Sequence, residues 1–142
     1  MKDIMLKITG KQLVGEEAEE KMEFITEGKL FERGGAKYLM YEESEFSGMP
    51  GCKTTLKLTD TSIRLKRIGE HSDFGHEMVF EKGKRYNSRY KTPYGEMDLE
   101  ILTNDVVNNL SEEGFGTIGI DYHVSLGGMA EGRNQLSIEV LQ

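Results

Sequence analysis

Apolar and polar residues alternate with period two along most of the chain. Over residues 3–13, Ile4, Leu6 and Ile8 fall on one face, and over 20–30 Met22, Phe24 and Thr26 alternate with Glu23, Ile25 and Glu27. Each is the pattern of a half-buried strand. The intervening GEEAEE, residues 15–20, is too short to hold a helix and reads as a hairpin connection. KYLMYEESE, residues 37–45, follows the Gly34-Gly35 break and is closed by the turn residues SGMPG. Period alone leaves its inward face open.

KTTLKLTDTSIRLKR reads as two strands around Thr59-Asp60-Thr61, with Leu56 and Leu58 before the turn and Ile63 and Leu65 after it. GEHSDFGH, residues 69–76, reads as a loop, and residues 76–92 as a hairpin turned at Lys82-Gly83. Pro93 to Gly95 supply the next turn. Met97, Leu99 and Ile101 then alternate with Glu96, Asp98 and Glu100 until the pattern blurs at Thr103–Asp105, where a bulge is expected. After the SEEG turn, Ile118, Ile120, Tyr122, Val124 and Leu126 share one face, and GGMAEG leads into a last strand with Leu136, Ile138 and Val140. About ten short strands with hairpin-length links and no convincing helix predict an all-β meander that closes on itself, a single antiparallel β-barrel domain of about eight to ten strands over residues 1–142.

Composition adds limits. With 142 residues, 37% of them hydrophobic and 30% charged, the chain suits one soluble domain with a real core. Its formal charge of −7, from 18 basic and 25 acidic residues, repels polyanions, so a nucleic-acid role needs a strong local basic patch. Cys52 stands alone, so no intramolecular disulfide forms, which fits a reducing cytoplasm. MKDIMLKITG alternates apolar and charged residues and is neither a signal peptide nor a membrane span. A cytoplasmic protein with no membrane partner is expected.

KGKRYNSRYKTPYG, residues 82–95, is the one basic stretch and interleaves cations with tyrosines. Period two separates them: Tyr86, Ser88 and Tyr90 point one way and Arg85, Asn87, Arg89 and Lys91 the other. Single-strand nucleic-acid grooves need aromatics and cations on one exposed surface, so such a ligand is disfavoured. The expected arrangement turns the tyrosines toward the barrel interior and balances the cations against Glu96, Asp98 and Glu100 on the next strand.

Other constellations point to no chemistry. GFGTIG, residues 114–119, matches GxGxxG, but a turn precedes it and a strand follows, whereas the dinucleotide fingerprint opens a helix. Glu70, His71, Asp73, His76 and Glu77 fit no zinc spacing and read as a solvated loop. Asp121, His123 and Ser125 share a strand face at about 6.5–7 Å intervals, too far apart for a hydrogen-bonded relay. Cys52 has no local activating group beyond Lys53 and reads as a small buried thiol. No cofactor, metal or catalytic residue is specified.

Arg67 is more informative, because it continues the inward face of Ile63 and Leu65. A guanidinium there needs a carboxylate or an anionic ligand, since an unpaired buried charge costs several kcal/mol. Glu42 and Glu43 are the nearest carboxylates in chain order.

YLMYEE, KTTLKL, Arg67 with Gly69, EMVF and RYKTPYGEMDLEI together resemble the YwiB-like family of small bacterial proteins, whose function is unknown; the likeness runs over roughly residues 20–140. The resemblance implies a closed, calycin-like (lipocalin-like) antiparallel β-barrel and carries over no catalytic residue. By analogy, calycins hold small apolar or amphipathic ligands inside the barrel, though fold alone does not fix function. Tyr86, Tyr90, Tyr122 and several methionines are large enough to fill a small barrel themselves.

The first expectation is therefore a non-enzymatic barrel that binds a small amphipathic or acidic ligand at one mouth, lined by Tyr41, Glu43, Arg67, Tyr86 and Tyr90. The alternative is an interaction module with a filled interior, meeting an acidic partner through Arg85, Arg89 and Lys91. An enzyme ranks third. Homo-oligomerisation through an exposed edge or outer apolar patch stays open.

Overall fold

The computed structural model describes residues 2–14, 17–42, 53–68, 76–92, 95–127 and 130–141, with backbone only at 14, 17–20, 76, 90–92, 126 and 130. Ten strands follow in order: β1 (Lys2–Val14), β2 (Glu17–Arg33), β3 (Ala36–Glu42), β4 (Lys53–Leu58), β5 (Ser62–Ile68), β6 (His76–Glu81), β7 (Arg85–Thr92), β8 (Gly95–Leu110), β9 (Gly116–Leu126) and β10 (Ala130–Leu141). They form one antiparallel sheet in the order β6-β5-β4-β3-β2-β1-β10-β9-β8-β7, so the first and last strands pair at its centre. The sheet curls until β6 packs against β7 and β8, giving a nearly closed barrel.

The expected strands are present, with three differences in detail. β2 starts at Glu17, so most of GEEAEE extends the hairpin: Glu17 and Ala18 pair with Val14 and Leu13. β8 runs through the expected bulge at Thr103/Asp105 to Leu110, making it far longer than its alternating segment. β6 and β7 are joined by the expected Lys82-Gly83 turn, with Lys84 N donating to Glu81 O at 3.0 Å, yet they are not ladder neighbours. Thr103 of β8 instead captures the turn, accepting from Gly83 N at 2.9 Å and donating to Lys84 O at 3.2 Å.

The inner face follows the alternation. Leu30, Leu39, Leu56, Leu65 and Met78 stand opposite one another across β2 to β6, and Ile8, Ile138 and Ile118 do so across β1, β10 and β9. All eight are buried, with Phe80, Leu6 and Ile63 among the fully enclosed. In β3 Leu39 and Tyr41 face inward and Met40 outward, which settles the face that period left open.

Antiparallel succession puts the turns at 34–35, 59–61, 82–84 and 111–115 at one end of the barrel. Leu30 closes against Gly114 there, and Asn108 Nδ2 donates to Thr59 O at 3.5 Å. The opposite end is where Arg67 marks the expected mouth, and its connections at 15–16, 43–52, 69–75, 93–94 and 128–129 lie outside the described residues. Among the described residues no helix is long and apolar enough to cross a membrane.

Candidate functional site

Strand register places polar residues on the inner wall at one level near the mouth. Tyr41, Thr54 and Arg67 stand directly opposite one another on β3, β4 and β5, followed by His76 on β6. Adjacent strands lie about 4.8 Å apart, so Tyr41 and Arg67 are separated by about 10 Å with Thr54 between them. Thr54 is fully buried, and Arg67 Nε donates to its Oγ1 at 3.4 Å. Arg67 is itself half-buried, on the inward face that its alternation with Ile63 and Leu65 predicts.

A second polar rung comes from the other wall. Thr103, Tyr122, Asn134 and Gln12 align across β8, β9, β10 and β1. Tyr122 packs on Phe80 with ring centroids 4.8 Å apart and planes tilted by 54°. Burial raises the pKa of its phenol, and the positive charge of Arg67 partly opposes that rise. The guanidinium on one wall is thus felt by the phenol on the other. Thr103 is 1% exposed and its Oγ1 has no hydrogen-bond partner among the described residues, whereas most buried hydroxyls find one.

Of the five residues expected at the mouth, Tyr41 and Arg67 share this inner rung, and Tyr86 projects inward beside Ile101 against the core. Tyr90 lies on the inward-facing register of β7 opposite Met97, with its side chain outside the described set; Glu43 lies outside it altogether. Glu42 is exposed at the end of β3 and does not line the inner rung. Thr54, Thr103, Tyr122 and Asn134 were not singled out by sequence as site residues. Their signal is polarity at positions where an inward alternation demands apolar residues: Thr54 before Leu56 and Leu58, Thr103 after Leu99 and Ile101, Asn134 before Leu136 and Ile138.

The basic stretch takes up the arrangement that balances cations against β8. Arg85 pairs with Glu100, and Arg89 reaches Glu96 at 3.2 Å and Asp98 at 3.7 Å. Lys84 lies 3.3 Å from Glu81 and Lys82 3.6 Å from Asp105. The side chain of Lys91 is outside the described set.

Asp121 of the strand-face trio turns to the neighbouring strand instead of to His123. It accepts from Arg133 Nε at 3.0 Å and Nη2 at 2.7 Å, and from Gln135 and Asn104. Asn104 Nδ2 also lies 3.0 Å from His123 Nδ1. With four donors around its carboxylate, Asp121 is a structural acceptor tying the β8 bulge to β10. Gly114 of GxGxxG belongs to the β8–β9 turn, with φ of 94°, and Gly116, with φ of 137°, opens β9. Among the described residues no group of three or more His, Cys, Asp or Glu is placed to hold a metal ion; His71, Asp73 and Cys52 lie outside them.

The fold recurs in a solved structure, the crystal structure of ywiB protein from Bacillus subtilis, with a TM-score of 0.70 and 20% identity, covering 96% of this chain and 90% of that one. In sequence the chain is 28% identical over 120 residues to the uncharacterized beta-barrel protein YwiB of Bacillus subtilis (strain 168), spanning 84% of this chain and 80% of that protein. The family model described as a domain of unknown function, DUF1934, matches residues 6–138, and the chain belongs to that family.

Proposed function

We propose that this chain is a cytoplasmic, non-enzymatic barrel that binds a small amphipathic acid at its mouth. The observation that carries the reading is the pair of polar rungs facing each other above apolar layers that the protein fills itself. Side chains such as Leu6, Leu56 and Phe80 occupy the closed end, so the ligand is confined to the upper level and is short. Its acid group lies toward Arg67 and Thr54, a charge-assisted contact that favours a carboxylate or similar anion. Its apolar part rests against Tyr86 and Tyr122, which combine flat apolar walls with polar tips. The alternative of an acidic partner docking on Arg85 and Arg89 is the weaker reading, because both already hold carboxylates of β8.

Native mass spectrometry of gently purified protein tests the reading. The expected result is a stoichiometric excess of small-molecule mass over the denatured chain, lost in an Arg67→Ala variant. A bare chain from cells, together with no uptake of added octanoate, overturns it.

A further inference from the structure

The outer face of β2-β1-β10-β9-β8 carries a groove of about 470 Å³ that is separate from the mouth. Its floor is a cross-strand row of short residues, Thr9, Ser137 and Gly119, ending at Val107. Longer side chains stand on both sides. On the mouth side Lys21, Lys11, Gln135, Asp121 and Asp105 form the adjacent row, so charge changes sign along the groove.

The two ends are not equally satisfied. At the acidic end Asp121 is gripped by Arg133 and Asp105 lies 3.6 Å from Lys82. At the basic end Lys11 and Lys21 are direct cross-strand partners, a like-charge pairing that opposes strand association. Glu23 sits among them, 3.6 Å from Lys21 and 3.7 Å from Lys7. Lys11 is half-buried and makes no ion pair among the described residues. Lys7 also faces Glu139 across β1 and β10, so among the described residues three lysines share two carboxylates, a surplus of one positive charge at this end in a molecule whose formal charge is −7.

We infer that this groove binds a small phosphomonoester with a hydroxyl-rich body, of the sugar-phosphate class. A phosphate dianion at Lys11 and Lys21 relieves their mutual repulsion, and lysine binds phosphate as a point charge. At the far end the cations Arg133 and Lys82 are already engaged by Asp121 and Asp105, so the phosphate is held at the lysine end, which sets the direction of the ligand. Along the floor the hydroxyls of Thr9 and Ser137 and the amide of Gln135 match a polyhydroxy body better than an alkyl chain. The volume falls in the usual range for small-molecule sites, roughly 300–1,000 Å³. Gly119 keeps the floor open: a Cβ there meets nothing nearer than Val107 Cβ at 3.9 Å, so the strand accepts a side chain and the absence of one leaves room for a ligand.

Amide-resolved NMR titration of the full chain with glucose 6-phosphate, glucose and inorganic phosphate tests the inference. Glucose 6-phosphate is expected to shift Thr9, Lys11, Gly119 and Ser137 saturably, at least roughly tenfold more tightly than phosphate alone, with no response to glucose. The double variant Lys11→Gln, Lys21→Gln weakens binding by roughly tenfold or more. Gly119→Leu abolishes it, while Gly119→Ala, which leaves the strand undisturbed, keeps part of it. Arg67→Ala changes nothing at the groove, so failure at the mouth and failure here are distinguishable. An equal response to phosphate and glucose 6-phosphate, a response that survives the lysine replacements, or none at all overturns the inference.

Discussion

Arg133 on β10 grips Asp121 on β9 with both arms of its guanidinium, at 3.0 Å and 2.7 Å, although the two residues are diagonal neighbours and not direct cross-strand partners. The fork anchors a carboxylate that also holds Asn104, the extra residue of the β8 bulge, at 3.1 Å. Asp121→Asn removes the charge, turns one oxygen into a donor and leaves Arg133 facing it. A loss of about 2 kcal/mol is expected, since hydrogen bonds to charged groups contribute about 1.5–3 kcal/mol. Urea unfolding measures it; an unchanged midpoint would show that the fork contributes nothing.

The same contact predicts a pH dependence. Hydrogen bonds from Arg133, with smaller help from Gln135 and Asn104, hold the Asp121 carboxyl well below the usual carboxylate range against the opposing effect of burial. In the unfolded chain it titrates near the ordinary value of about 3.9. Near and below that pH the unfolded state takes up the proton first, so this contribution is complete above about pH 5 and declines as pH falls toward the folded pKa. Wild type should lose more stability than Asp121→Asn between about pH 5 and pH 3. Parallel curves for the two proteins would refute the assignment.

Much of this architecture was legible because alternation is a local property. Ile4, Leu6 and Ile8, or Ile118 and Ile120, declare their inward face without reference to any other strand. The site was legible only in part, because a rung is a property of register. Arg67 betrays itself as a cation in an apolar alternation, but nothing in sequence places Tyr122, fifty-five positions later, within reach of its charge. The β6–β7 seam was hidden for the same reason: Lys82-Gly83 encodes a turn, while the pairing beyond it is decided by Thr103 of β8, which takes the turn's hydrogen bonds. The spacing of Asp121 and His123 already argued against a relay, but only the fold shows that Arg133 on the neighbouring strand takes the carboxylate.

The Arg67–Tyr122 relationship has its own test. Burial raises the phenol pKa and the guanidinium holds part of that rise back. Removing the charge with Arg67→Gln should therefore push Tyr122 further above the ordinary phenol value. Titration of the tyrosine ring carbons by NMR reads this directly. A Tyr122 that titrates identically in the variant would place the two groups out of electrostatic contact.

Glycines in the chain are not equivalent. Gly83, with φ of 76°, has nothing within 4 Å of an added Cβ, so Gly83→Ala costs only backbone strain, about 1 kcal/mol. Gly116, with φ of 137°, would drive a Cβ to 2.3 Å from the Asn109 carbonyl oxygen, a backbone atom that cannot swing aside. Gly116→Ala should cost more than about 3 kcal/mol, by strain and clash together. Thermal unfolding of the two variants checks the order, and a smaller loss at Gly116 than at Gly83 contradicts it.

Thr103 separates stability from binding. Its hydroxyl is enclosed, 1% exposed as a residue, and has no hydrogen-bond partner among the described residues. A buried hydroxyl with no partner carries its desolvation cost, about 1–3 kcal/mol, with no return in the free protein. Thr103→Val replaces it with a methyl of similar size among apolar neighbours and should stabilise the free barrel by up to about 1 kcal/mol, against the usual direction for a buried threonine. The hydroxyl shares its rung with Tyr122, at the level proposed for the ligand, so the same change should reduce the fraction of protein that retains small-molecule mass in native spectra. Such an opposition is expected where a polar group is kept for binding at a cost in stability. Destabilisation by more than about 1 kcal/mol would instead mean that the hydroxyl is hydrogen-bonded in solution, with a buried water as its partner.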